Sequence, residues 1–135
     1  MITAIDTSVL LDVFGADPTF GRRSLGAIRR SLTDGRLTAC EVVWAEVGGF
    51  FPSAGAARVA MDELGVDFSP TTLEAALEAS TSWRRYRERG GRRDRVVADF
   101  LIGAHALAQA ERLLTRDRGF YRTYFSQLRL LDPAK

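Results

Sequence analysis

At 135 residues, with 46% hydrophobic and 27% charged residues and a net charge of +2, the chain has the composition of a single globular domain spanning residues 1–135. Cys40 is the only cysteine and His105 the only histidine, which excludes a disulfide framework, cysteine-based metal clusters and multi-histidine zinc sites. Any bound metal would therefore be held by oxygen, and the slight positive charge permits a polyanionic partner without demanding one.

Met1 to Leu11 carries Asp6 too early for a secretory signal, and no apolar run approaches the ~20 residues of a membrane span, so a cytoplasmic location is expected. Met1 to Ile5 reads as a strand ending at Asp6, and Val9 to Phe14 as the first turns of a helix capped at Asp6 or Thr7. Asp17-Pro18 is expected to open a second helix through about Thr33, with Leu25, Ile28 and Leu32 at core spacing and Arg22, Arg23, Arg29 and Arg30 on the wet face. Asp34-Gly35 is a turn, Arg36 to Cys40 a second strand, and Glu41 begins a helix carrying Val42, Val43, Val47 and Phe50. Glu41 lies in that helix's first turn, where the dipole alone explains it. Glu46 lies more than a turn further in and needs a separate reason.

Gly48-Gly49 and Pro52-Ser53 interrupt the helix before Ala54 to Leu64 restarts it as the second arm of a helical hairpin. Val66 to Ser69 reads as a third strand, and Thr71 with Glu74 as a capping box opening a helix to about Glu88. Arg84 to Arg95 then holds seven arginines, a net charge of about +5 after Glu88 and Asp94, enough to attract phosphates or an acidic partner segment. Asp94 is the expected N-cap of the most apolar segment, Val96 to Ala110. There Asp99 stands out, because a carboxylate on a helix buried on most of its circumference needs a partner. His105 on the same helix reads as a packed residue. Arg112 to Thr115 is a strand with Asp117 at its end, Phe120 to Phe125 a short helix, and Leu128 to Leu131 a last strand stopped by Pro133.

This order predicts a three-layer α/β/α fold around a mainly parallel sheet of about five strands. Asp6 and Asp117 would then sit at strand ends, and Glu46 and Asp99 one or two turns into helices that begin at the same edge. Two like charges about 4 Å apart repel by about 4 kcal/mol at an effective dielectric near 20, so such a group calls for cations, and magnesium or manganese suit carboxylate oxygen.

Four segments carry a resemblance: Asp6-Thr7-Ser8-Val9-Leu10-Leu11; Glu46; Ala98-Asp99-Phe100-Leu101-Ile102-Gly103-Ala104; and Leu114-Thr115-Arg116-Asp117-Arg118-Gly119-Phe120. In this order they are similar to the motifs of PIN-domain ribonucleases, and most to the short VapC-type toxins of toxin–antitoxin pairs, over residues 1 to 133. The resemblance implies a metal-dependent endoribonuclease with Asp6, Glu46, Asp99 and Asp117 as its acidic Mg2+ or Mn2+ site, Glu41 remaining the alternative to Glu46. It implies supporting roles for Thr7 and Thr115, and it makes Arg92, Arg93, Arg95 and Arg116 candidate contacts for RNA or a partner. It further implies a homodimer silenced by a cognate antitoxin that often places a basic residue in the acidic pocket. A receiver domain would need a lysine late in the sheet, whereas the only lysine is Lys135, and no Gly-x-Gly-x-x-Gly or Walker motif is present. The remaining alternatives are a non-catalytic module of the same fold that binds RNA or protein, and a housekeeping RNA-processing nuclease.

Overall fold

A computed structural model of the chain describes residues 1–92 and 95–134. Its elements run β1 (Ile2–Ile5), α1 (Thr7–Phe14), α2 (Gly21–Asp34), β2 (Arg36–Ala39), α3 (Glu41–Gly48), α4 (Ala54–Leu64), β3 (Val66–Phe68), α5 (Leu73–Glu88), α6 (Val97–Gln109), β4 (Arg112–Leu114), α7 (Arg118–Tyr124) and β5 (Leu130–Leu131). The five strands form one sheet in the order β3-β2-β1-β4-β5, with every neighbouring pair parallel. The fold is the three-layer α/β/α arrangement expected, because parallel strands need crossover helices and those helices cover both faces.

The chain moves outward from β1 through β2 to β3, then returns to the other side of β1 to form β4 and β5. Crossovers leaving in opposite directions leave a crevice beyond the carboxyl ends of β1 and β4. Register fixes the place: Ile5 pairs with Leu114, and the Asp6 amide donates to the Leu114 carbonyl at 3.0 Å. The residues after each strand therefore emerge side by side.

Strand interiors are buried on both faces, with Ala4, Ile5, Leu37, Ala39, Leu113 and Leu114 at 2% exposure or less. On α6, Gly103 lets Phe125 lie against the helix backbone; a methyl group there would fall inside the ring. His105 is buried and its Nε2 lies 2.9 Å from Ser69 Oγ, so it is the packed residue expected. Burial holds its pKa below 6.5 despite the Glu41 charge nearby. Among the described residues no helix is long and apolar enough to cross a membrane.

Several expectations are corrected by local and tertiary contacts. α2 starts at Gly21 and not at Asp17, because the Asp17 side chain captures the amides of Thr19 (2.9 Å) and Phe20 (2.7 Å) and folds the chain into a turn. Leu32 is surface-exposed rather than core, its place on the buried face of α2 being taken by Ser24, Ala27, Ile28 and Ser31. Thr72, not Thr71, caps α5 by accepting from the Ala75 amide at 3.2 Å; the Thr71 amide is instead spent on Glu41. β5 is confined to Leu130–Leu131. Arg93 and Asp94 lie outside the described residues, and α6 has Val96 as its N-cap residue.

Candidate active site

The cleft beyond β1 and β4 has a volume of about 520 Å³, and Asp6, Glu46, Asp99 and Asp117 all line it, with Thr7, Ser8 and Arg116 among their neighbours. Each acid comes from a different element, and each is placed by local rules. Asp6 leaves the last paired residue of β1 and becomes the N-cap of α1, its Oδ1 accepting from the Thr7 amide at 2.8 Å. Its Oδ2 accepts from the Thr115 hydroxyl at 2.8 Å and from the Tyr121 phenol at 3.3 Å. Three donors thus fix the carboxylate's orientation, yet its burial still wins and raises its pKa above the usual 3.8, with the Asp117 charge adding in the same direction.

Thr7 serves a second acid. Its hydroxyl donates to Glu46 Oε1 at 2.7 Å, which ties the sixth residue of α3 to the first residue of α1. Glu41 points elsewhere, accepting from the Thr71 amide at 2.8 Å. Burial works against its ionisation, but the bonds from Thr71 and its own amide outweigh it and hold its pKa below the usual 4.5. Between the two glutamates of α3, it is Glu46 that shares the cleft with the aspartates.

Asp99 is the third residue of α6, in its first turn rather than deeper in the helix, and its Oδ2 accepts from the Val96 amide at 3.3 Å. That half of a capping box explains the carboxylate locally. Asp117 precedes α7, and its amide donates to Thr115 Oγ1 at 3.0 Å. The Thr115 hydroxyl, fully buried, thereby links Asp6 to the backbone that carries Asp117. Thr115→Val keeps the shape but removes both bonds and orphans the Asp117 amide. We expect it to lower unfolding free energy in urea by about 1–3 kcal/mol; an unchanged midpoint would mean the linkage contributes nothing.

Among the described residues, one cation pairs with the group. Arg95 NH1 lies 2.7 Å from Asp117 Oδ2 and 4.0 Å from Asp99 Oδ1, and its guanidinium sits 4.3 Å from the centre of the Phe120 ring. Side chains roughly a third exposed make this pair worth about 1 kcal/mol or less, so it is easily exchanged. Arg116 is bound differently: its Nε and NH2 reach Asp12 at 2.8 and 2.9 Å, and it stacks over Phe20 at 4.1 Å. Asp12 is buried and also accepts from Ser24 Oγ, so this pair holds the residue just before Asp117 against α1 and α2. Arg92 is exposed, and its carbonyl accepts from the Tyr86 hydroxyl.

Among the described residues, neither Asp6 nor Glu46 has a cationic partner within 4.0 Å, while Asp99 and Asp117 share one arginine. The donor set is all hard oxygen with more negative than positive charge, which fits magnesium or manganese in chemistry. As they stand, no three of these groups among the described residues are close enough together to hold an ion, and Arg95 occupies the space between two of them. Tyr121 was not legible as part of the site. Its phenol is pushed well above its usual value of 10 by burial and then by Asp6, Asp99 and Asp117, so it remains a donor at all ordinary pH. Its position four residues after Asp117, one helical turn on, is the signal that would have found it.

A parallel sheet whose switch-point crevice is lined by four acids from four elements defines a class. The chain belongs to the PIN-domain family, whose profile matches residues 3–126. Its fold is shared with VapBC2 of Rickettsia felis bound to a promoter DNA fragment, at 15% identity, 98% coverage of both chains and a TM-score of 0.76. It is shared also with VapBC-1 of nontypeable Haemophilus influenzae, at 18% identity, full coverage of both chains and a TM-score of 0.75. VapC20 of Mycobacterium tuberculosis, a toxin that cleaves the sarcin–ricin loop, aligns over 82% of this chain and 86% of its own, with 15% identity and a TM-score of 0.60. No curated protein sequence matches the chain closely enough to count as a relative.

Proposed function

We infer that the cleft is the active site of an endoribonuclease that hydrolyses RNA phosphodiesters with a divalent metal, and that the chain is the toxin of a toxin–antitoxin pair. The observation that carries this is the convergence of Asp6, Glu46, Asp99 and Asp117 on one cleft where, among the described residues, Arg95 is the cation paired with them. These four residues would hold the ion, magnesium or manganese, once Arg95 gives way. When bound, such an ion makes hydroxide available near neutral pH and offsets charge on the phosphate under attack.

The chain's own residues supply orientation. Thr7, Thr115 and Tyr121 hold Asp6, and Thr7 also holds Glu46, so two of the acids are aimed before any ligand arrives. Arg95, released from Asp117, becomes a phosphate contact at the cleft edge, and Arg92, exposed beside it, a second one. The structural neighbours are crystallised as VapBC and FitAB pairs, which supports a cognate antitoxin as partner; the homodimer rests on the sequence resemblance. Incubating the purified chain with RNA and manganese is expected to give discrete internal fragments that chelator abolishes. RNA left intact across a range of manganese concentrations would overturn the reading.

A further inference from the structure

We propose that the hollow beside the acidic cleft, floored by Trp83 and Tyr86, is a subsite for an unpaired nucleobase of the RNA. The proposal rests on the nuclease reading above and goes beyond it by assigning where a nucleotide next to the cleavage site is held. The hollow measures about 380 Å³ and is bounded by the two aromatic rings, by Gly91 and Val96, and by Arg87, Arg92 and Arg95. It is continuous with the acidic cleft in one respect that matters: Arg95 lines the hollow and also reaches Asp117. A strand whose base lies in the hollow therefore brings its phosphate to Arg95, at the edge of the four acids.

Three features make the hollow suited to a base rather than to solvent alone. The first is rigidity. Trp83 stacks on Tyr86 with the rings 15° from parallel and meets Phe100 edge-on at 5.4 Å, and Phe100 contacts Phe120, Tyr124 and Phe125 in turn. Trp83 is thus the half-buried outer ring of a large aromatic cluster, and a fixed ring loses little entropy when a base stacks on it. The second is shape. The Tyr86 hydroxyl donates to the Arg92 carbonyl, and Gly91 lies so close to the Tyr86 ring that any side chain there would collide with it, so Gly91 and Arg92 form a wall held against the floor. The third is charge. Arg87 lies 5.6 Å from the Trp83 ring centre, near the outer limit of a cation–π contact, so it lines the face without closing it. Arginines around an aromatic floor are the chemistry that recognises single-stranded RNA, through stacking on any base and through charge on the phosphates. Duplex RNA is excluded, since its bases are not free to enter.

Binding of fluorescein-labelled pentauridylate would be followed by anisotropy in EDTA, where no cleavage occurs, alongside the same pentamer with its central base removed. Wild type is expected to bind the intact oligomer about 5- to 100-fold more tightly than the abasic one. Trp83→Leu should lose most of that difference and Trp83→Phe should keep it. Because Trp83 also packs on Phe100, Arg92→Ser is included as a variant that leaves the aromatic cluster intact; it should weaken binding and reduce the dependence of log affinity on log salt by about one. Equal binding of intact and abasic oligomers by wild type, or an unchanged difference in a folded Trp83→Leu, would overturn the subsite, Trp83 then being only the edge of the core. In either case cleavage by wild type would leave the nuclease reading standing, whereas wild type that neither binds nor cuts RNA would remove both.

Discussion

Asp99→Asn is expected to abolish RNA cleavage while leaving the fold unchanged. The asparagine amide oxygen still accepts from the Val96 amide, so the start of α6 keeps its cap, and what is removed is the charge. Losing the orienting partner of a metal ligand costs about 10- to 100-fold in affinity or activity, so losing a ligand's charge should cost about a hundredfold or more. The measurement is cleavage of a labelled RNA by wild type and variant over a range of manganese concentrations, with melting curves recorded for both. Equal cleavage would take Asp99 out of the mechanism, and a collapsed melting curve would show that its contribution is structural.

Saturating manganese should raise the melting temperature by about 10 °C. At a hundredfold excess over its dissociation constant a ligand that binds only the folded state adds about 2.7 kcal/mol, and in a domain of this size each kcal/mol shifts the midpoint by several degrees. The electrostatics of the cleft give the sign independently. Asp6 has a folded pKa above its unfolded value, so its favourable contribution is present below the unfolded pKa and lost as pH rises through the folded one. Above that window its burial opposes folding, and a cation beside it relieves the cost. The shift should therefore shrink as pH falls and Asp6 becomes protonated. Arg95→Gln, which empties the space between Asp99 and Asp117, should enlarge the manganese shift. No shift at any manganese concentration would count against a metal site in this cleft.

Much of this arrangement is readable from local pattern. The short apolar runs of β1, β2 and β4, the interruption at Gly48-Gly49, the restart at Ser53 and the long apolar α6 all follow from side-chain period and from residues that cap or break helices. The four acids stand out because each ends a strand or lies within a helix that starts at the same edge. Where the reading slipped, another contact competed for the same backbone: locally, Asp17 turned its own chain, and through a tertiary contact the Thr71 amide went to Glu41, the cap of α5 falling to Thr72.

By itself the sequence determined the order of elements and the parallel sheet and singled out the four acids as candidates, because these depend on period, capping and composition within a few residues. The tertiary structure alone decided who meets whom. Asp6 with Thr115 and Tyr121, and Asp12 with Arg116, depend on β4 lying beside β1, a choice of neighbour made across about a hundred residues of chain. Local propensity carries no information about such pairings, since they are set by which strand edge the returning crossover finds free.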